Sequence, residues 1–95
     1  MCGIVAMLSR GAPVAREALE RATAALRHRG PDGARTWVSA DGRVGLGHTR
    51  LALVDPGGGA QPIASEDDAV RIVANGEFYD FEAARRALER GGHRF

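Results

Sequence analysis

Apolar residues along this chain fall into short runs with two different periods. Ile4, Val5, Ala6, Met7 and Leu8 form a continuous apolar run, which predicts a buried strand over residues 3–8. "SRGAPVA" follows as a turn, with Gly11 and Pro13 as breakers. From Val14 to about Arg27 the period lengthens. Val14, Ala18, Leu19, Ala22, Ala25 and Leu26 recur at helical spacing, while Arg16, Glu17, Glu20 and Arg21 fill the other face. Gly30-Pro31-Asp32-Gly33 breaks that helix. Thr36 to Ser39 reads as a strand, Asp41-Gly42 as a hairpin turn, and Val44 to Val54 as one or two further strands. Asp55-Pro56 and Gly57-Gly58-Gly59 close that segment, and Gln61-Pro62 is loop. Val70 to Ala74 is a strand that delivers "NGE" at its end. Asp80 is placed to cap a second helix over Phe81, Ala84, Ala87 and Leu88, with Gly91 as its stop. Trp37 and the apolar helix stripes are assigned to the core. No repeat, low-complexity tract or internal linker interrupts the order.

Strand, helix, several hairpin-linked strands and a second helix make an α+β pattern with a largely antiparallel sheet. With 95 residues there is room for one small domain. Two helices leave one face of such a sheet bare, which leads us to expect a missing portion.

Composition narrows the chemistry. An apolar fraction of 44% and a charged fraction of 26% suit a soluble globular chain, and a net charge of +1 gives no reason to invoke nucleic acid or an anionic membrane. All 13 basic residues are arginine. That excludes a lysine-containing phosphate loop and a Schiff-base lysine within these residues. No apolar run is long enough to span a membrane, and no signal peptide is visible. One cysteine cannot form an internal disulfide, so a reducing cytoplasm is the expected location. Three scattered histidines and that cysteine make no metal-ligand spacing, and His28, His48 and His93 are read as structural.

The cysteine itself is oddly placed. Cys2 follows the initiator methionine yet heads an apolar strand, so it is anchored where chain ends are usually frayed. Removing Met1 would leave a thiol and a free α-amine on one residue. Taken alone, Arg50 suits a surface ion pair and Asn75-Gly76 a hairpin turn.

Four stretches change those readings when taken together: "MCGI" at 1–4, "RHRGPDG" at 27–33, "GHTRLALVD" at 47–55 with "QP" at 61–62, and "NGEFYD" at 75–80. In this order they resemble the N-terminal class II glutamine amidotransferase, or glutaminase, domain of glutamine-hydrolysing asparagine synthetases. Related amidotransferases of sugar-phosphate and purine synthesis also begin with cysteine but lack the "RLALVD…QP" run. The resemblance implies an N-terminal-nucleophile hydrolase, a four-layered αββα fold of which residues 1–95 are the N-terminal portion. It implies that Cys2 is the nucleophile and that its freed α-amine is the base. The reference amine pKa of ~7.7–8.0 lies close to that of a thiol, ~8.5.

By the same resemblance Asn75 and the Gly76 N–H form the oxyanion hole. Arg50 holds the glutamine α-carboxylate, and Leu51, Ala52, Leu53, Val54 and Glu77 lie in the substrate-binding segments. "RHRGPDG" shapes the loop beside the site. Two departures stand out: Asp80 occupies a position where the family commonly has asparagine, and the "SD" segment whose aspartate binds the substrate ammonium is absent. The implied partners are glutamine and a synthetase domain, or a complementing chain, that binds ATP and Mg and amidates aspartate or a related carboxylic acid. A homodimer is expected only of the longer parent. No cofactor is assigned to these residues themselves. Two alternatives stay open: an inactive fragment, and a subunit of an amide-forming natural-product enzyme.

Overall fold

In the computed structural model, residues 1–52 and 59–95 are described. The first strand, β1, spans Gly3–Leu8, and helix α1 spans Arg16–Ala24. Strands β2 (Gly33–Val38) and β3 (Val44–Arg50) form a hairpin. Two short strands, β4 (Ile63–Ala64) and β5 (Arg71–Ile72), make a second hairpin, and α2 covers Phe81–Arg90. The fold is a small α+β one with antiparallel sheets. Strand order in the larger sheet is β1-β3-β2, so β3 is central, with Gly3 opposite Thr49 and Trp37 opposite Leu46. β4 pairs with β5, with Ile63 opposite Ile72.

Helix α1 lies on one face of the three-stranded sheet. Leu19 is fully buried there, and so is Thr23, whose hydroxyl donates to the Leu19 carbonyl at 2.8 Å. A polar residue is tolerated in that seam because its own helix satisfies it. Gly45 lies beneath this helix, and a Cβ there would come within 2.9 Å of Val14. On the other face Ile4 and Leu8 are 47% and 76% exposed. The continuous apolar run of β1 is therefore covered on one side only, where Val5 and Met7 are half-buried. Over the β2 side of that open face stands the β4–β5 hairpin, with the Arg71 guanidinium 5.1 Å from the centroid of the Trp37 ring. Trp37 is half-buried, stacked under a cation rather than enclosed in a core.

Several expected boundaries shift, each for a local reason. Helix α1 starts after Val14, whose N–H donates to the Gly42 carbonyl instead. It ends before Arg27 because Leu26, Arg27, Arg29 and Gly30 bond back three residues, tightening the chain into turns. Strand β3 stops at Arg50 rather than reaching Val54. The Leu51 N–H goes to the Cys2 sulfur and the Ala52 N–H to Asp32, so neither joins a ladder. Leu53, Val54, Asp55, Pro56, Gly57 and Gly58 lie outside the described residues. β5 is shorter than Val70–Ala74, since the Ala74 N–H is taken by the Gln61 side chain at 2.6 Å. Asp80 stands at the N-cap of α2 but makes no side-chain cap bond, whereas Gly91 does end that helix. The stripe on α2 is not core: no residue of that helix is buried, and Phe81 is 59% exposed.

The two hairpins share one turn type: Asp41-Gly42 was expected as a turn, but its serine-aspartate bonding and the repeat at 65–70 were not. In "SADGRV" at 39–44 the Ser39 hydroxyl donates to Asp41 at 2.6 Å, Asp41 accepts from the Arg43 N–H, and Ser39 Oγ accepts from the Val44 N–H. "SEDDAV" at 65–70 repeats every one of these bonds with Ser65, Asp67, Ala69 and Val70. Gly42 and Asp68 occupy the equivalent left-handed position, with φ of 72° and 61°. A serine followed two residues later by aspartate was the available signal.

Candidate active site

Pairing of Gly3 with Thr49 carries Cys2 to the end of β3, beside the residues that follow it. The Leu51 N–H donates to Cys2 Sγ at 3.4 Å, and the Cys2 carbonyl accepts from Arg29 Nε at 3.3 Å. Leu51 thus holds the thiol and Arg29 the backbone behind it, while the residue remains half-buried. Thr49 locks the strand below it. Its hydroxyl donates to the Leu26 carbonyl and accepts from the Gly3 N–H, each at 3.1 Å.

The 27–33 loop is the scaffold of this corner. Asp32 donates its N–H to the Arg50 carbonyl and accepts the Ala52 N–H at 2.9 Å on its carboxylate. Gly30 is buried against the Arg50 backbone, where an added Cβ would lie 2.5 Å from the Arg50 nitrogen. Only glycine admits so close an approach. Gly59 lies near the Arg50 guanidinium, and its φ of 66° is one that glycine adopts most readily.

One cavity of about 630 Å³ gathers Cys2, Arg50, Leu51, Asn75, Gly76 and Glu77. These come from three separate stretches of the chain. Asn75 to Glu77 lie in irregular backbone between β5 and α2, exposed at the cavity mouth. The aromatic residues Phe78, Tyr79 and Phe81 complete that side. Of the other expected residues, Ala52 is held by Asp32 and does not line the cavity, and Leu53 and Val54 lie outside the described residues.

Arg29 and Gln61 were given no role of their own in the sequence, and His48 was read as structural. Gln61 lines the cavity and ties the Ala74 backbone in place just before Asn75. His48, 2% exposed, is held below the ordinary histidine range first by burial and then by the Arg50 charge. The Ala74 backbone lies against its ring and opposes that shift, although no well-formed hydrogen bond reaches Nε2. Among the described residues no cluster of histidine, cysteine or carboxylate side chains could hold a metal, and no helix is long and apolar enough to cross a membrane.

This arrangement combines a fixed thiol, a guanidinium suited to a carboxylate and a glycine-containing turn with amide donors. Comparison with known proteins agrees with it. The glutamine amidotransferase domain family matches residues 1–95. A glutamine-hydrolyzing asparagine synthetase of Sandersonia aurantiaca is 39% identical over 99 residues, covering 100% of this chain and 18% of that protein. One from Bacillus subtilis (strain 168) is 38% identical over 99 residues, covering 100% of this chain and 16% of its own length. A Gibberella zeae protein named amidase chry2 is 37% identical over 100 residues, with 93% and 15% covered. The chain therefore spans less than a fifth of the length of these relatives. No solved structure matches it. On the strength of the match along its whole length, the chain belongs to the glutamine amidotransferase domain family.

Proposed function

We propose that this chain is the glutamine-hydrolysing part of an asparagine synthetase-like amidotransferase. The observation that carries the proposal is the single cavity shared by Cys2, Arg50, Asn75, Gly76 and Glu77. Removal of Met1 frees the α-amine of Cys2. That amine takes the thiol proton, and Sγ attacks the side-chain amide carbon of glutamine. The Asn75 side chain and the Gly76 N–H hold the oxyanion, while Arg50 pairs with the α-carboxylate and Glu77 and the Leu51 backbone contact the rest of the substrate. The protonated amine then delivers its proton to the departing nitrogen. Ammonia leaves, a thioester remains, and water activated by the same amine hydrolyses it to glutamate. The Leu51 N–H, already directed at Sγ, steadies the sulfur through both steps.

Ammonia would be consumed by a synthetase portion that amidates aspartate or a related acid, and ATP and Mg belong to that portion. We also assign the chain to the four-layered αββα architecture. Helix α1 covering one sheet face, with a second hairpin standing over the other, supports that layering.

The test is covalent. A glutamine-like diazoketone should add once, at Cys2, on protein whose intact mass lacks Met1. Active protein that retains Met1 would rule out the amine as base, because an acylated nitrogen cannot take a proton.

A further inference from the structure

His48 lies two residues before Arg50 on β3, so both side chains leave the same face of the sheet. It is 2% exposed, and its Nε2 has no hydrogen-bond partner. Leaving such an atom unpaired costs stability that an apolar side chain of similar size would not cost. Packing alone therefore does not account for the ring. Its surroundings do. With Asp32, Arg35, Arg50 and Gln61 it lines a cavity of about 270 Å³ that shares Arg50 and Gln61 with the cysteine cavity. The Ala74 backbone lies against the ring, and Gln61 holds the Ala74 N–H. His48 thus stands between the strand that carries Arg50 and the turn that carries Asn75 and Gly76.

We infer that neutral His48 is a positioning residue for glutamine, setting Arg50 and the 74–76 turn relative to each other, and that its protonation disables the site. The inference rests on the glutaminase reading of the cavity. The charged groups facing the ring are Arg50 on its own strand, Arg35 opposite it on β2, and Asp32 before β2. Its β1 partner is the uncharged Ile4, and residues 61 and 74 present an amide and backbone. An imidazolium there would place a second cation beside Arg50. Burial and the Arg50 charge keep the ring neutral at neutral pH, and acid reverses this.

Two thiol reagents separate this role from folding and from the titration of Cys2 itself. The glutamine-like diazoketone needs the clamp and the oxyanion turn, whereas iodoacetamide needs only the thiol. In the wild-type protein the ratio of the two labelling rates should fall as pH drops below neutrality. In His48→Gln, which keeps hydrogen-bonding groups but cannot titrate, the ratio should stay near the neutral-pH wild-type value at every pH. In His48→Phe it should fall roughly tenfold throughout, a fraction of the on-the-order-of-hundredfold loss expected from a ~1 Å misplacement. A His48→Gln ratio with the wild-type acid fall, or a His48→Phe ratio equal to wild type, would overturn the inference. If His48→Phe does not fold, the His48→Gln profile decides alone. Wild-type Cys2 that reacts with iodoacetamide but never with the diazoketone would instead refute the glutaminase reading, and this inference with it.

Discussion

Gly30, in the loop before β2, and Gly33, at the first residue of that strand, sit three residues apart yet differ sharply in what surrounds them. A Cβ at Gly30 would lie 2.5 Å from the Arg50 nitrogen and the Thr49 carbonyl carbon, while one at Gly33 would meet nothing within 4 Å. Gly30→Ala should therefore cost about 2–3 kcal/mol in urea unfolding and slow glutamine use, whereas Gly33→Ala should stay within about 0.5 kcal/mol of wild type. On the proposed glutaminase reading, Arg50→Ala in a full-length synthetase should raise KM for glutamine and leave ammonia-driven synthesis intact. Asn75→Ala should lower glutaminase kcat by roughly a hundredfold or more. Equal loss of the ammonia-driven reaction in both variants would mean that these residues hold the fold instead. Cys2, Arg50, Asn75 and Gly76 could be named as candidates from the runs around them, and the structure brings them to one cavity. Arg29, His48 and Gln61 lie in the same runs, but their contacts were not legible there. Their importance comes from partners 27, 26 and 13 residues away: the Cys2 carbonyl, the Ala74 backbone and the Ala74 N–H.

At the scale of elements, the strand and helix positions were legible, while their ends were not. Ends are decided where an amide leaves its ladder for a partner distant in sequence, as Leu51 does for Cys2 and Ala74 for Gln61. The paired serine-aspartate turns give a direct comparison. Ser39 anchors a partly buried bond to the Val44 N–H, and Ser65 anchors an exposed one to the Val70 N–H. Ser39→Ala should cost about 1 kcal/mol and Ser65→Ala less, by chemical denaturation. A reversed order would contradict the reading of the two turns.

A further tie joins the β4–β5 turn to the end of α2. Glu66 accepts from the Arg94 N–H and from His93 at 3.0 Å, and these contacts, Arg94 first, hold its carboxyl below the ordinary glutamate range. A depressed folded pKa means that the tie contributes fully above the unfolded value of ~4.3 and is lost as pH falls through the folded one. The Arg94 amide proton shift should titrate in that acidic window in wild type and stay flat in Glu66→Gln.

Taken whole, the chain is spread rather than tightly closed. Its radius of gyration is 14.7 Å, against roughly 12 Å for a compact domain of this length. Among the described residues Leu19 is the one buried apolar side chain. Leu19→Ala should cost about 2–5 kcal/mol, comparable with the roughly 5–15 kcal/mol that holds an ordinary domain together. Circular dichroism on the isolated 95-residue chain should show its thermal transition abolished by that change. An unchanged melt would place the stability elsewhere.

Strand β3 divides the molecule in a way that mutational tolerance should reveal. Gly45, Gly47 and Thr49 face Val14, Leu19, Thr23 and Leu26, while Leu46, His48 and Arg50 leave by the opposite face. One strand thus serves as floor for the helix and as wall for the chemistry, on alternate residues. A saturation library over 45–50, scored separately for abundance and for glutamine turnover, should split with a period of two. Substitutions at 45, 47 and 49 should lower abundance and take turnover down with it. Those at Arg50 should leave abundance nearer wild type and lose turnover alone, while at the buried His48 glutamine should keep both and bulkier side chains lose both. Such a strand has no neutral register: a one-residue slip would exchange every scaffolding position for a working one, and both duties would be lost together.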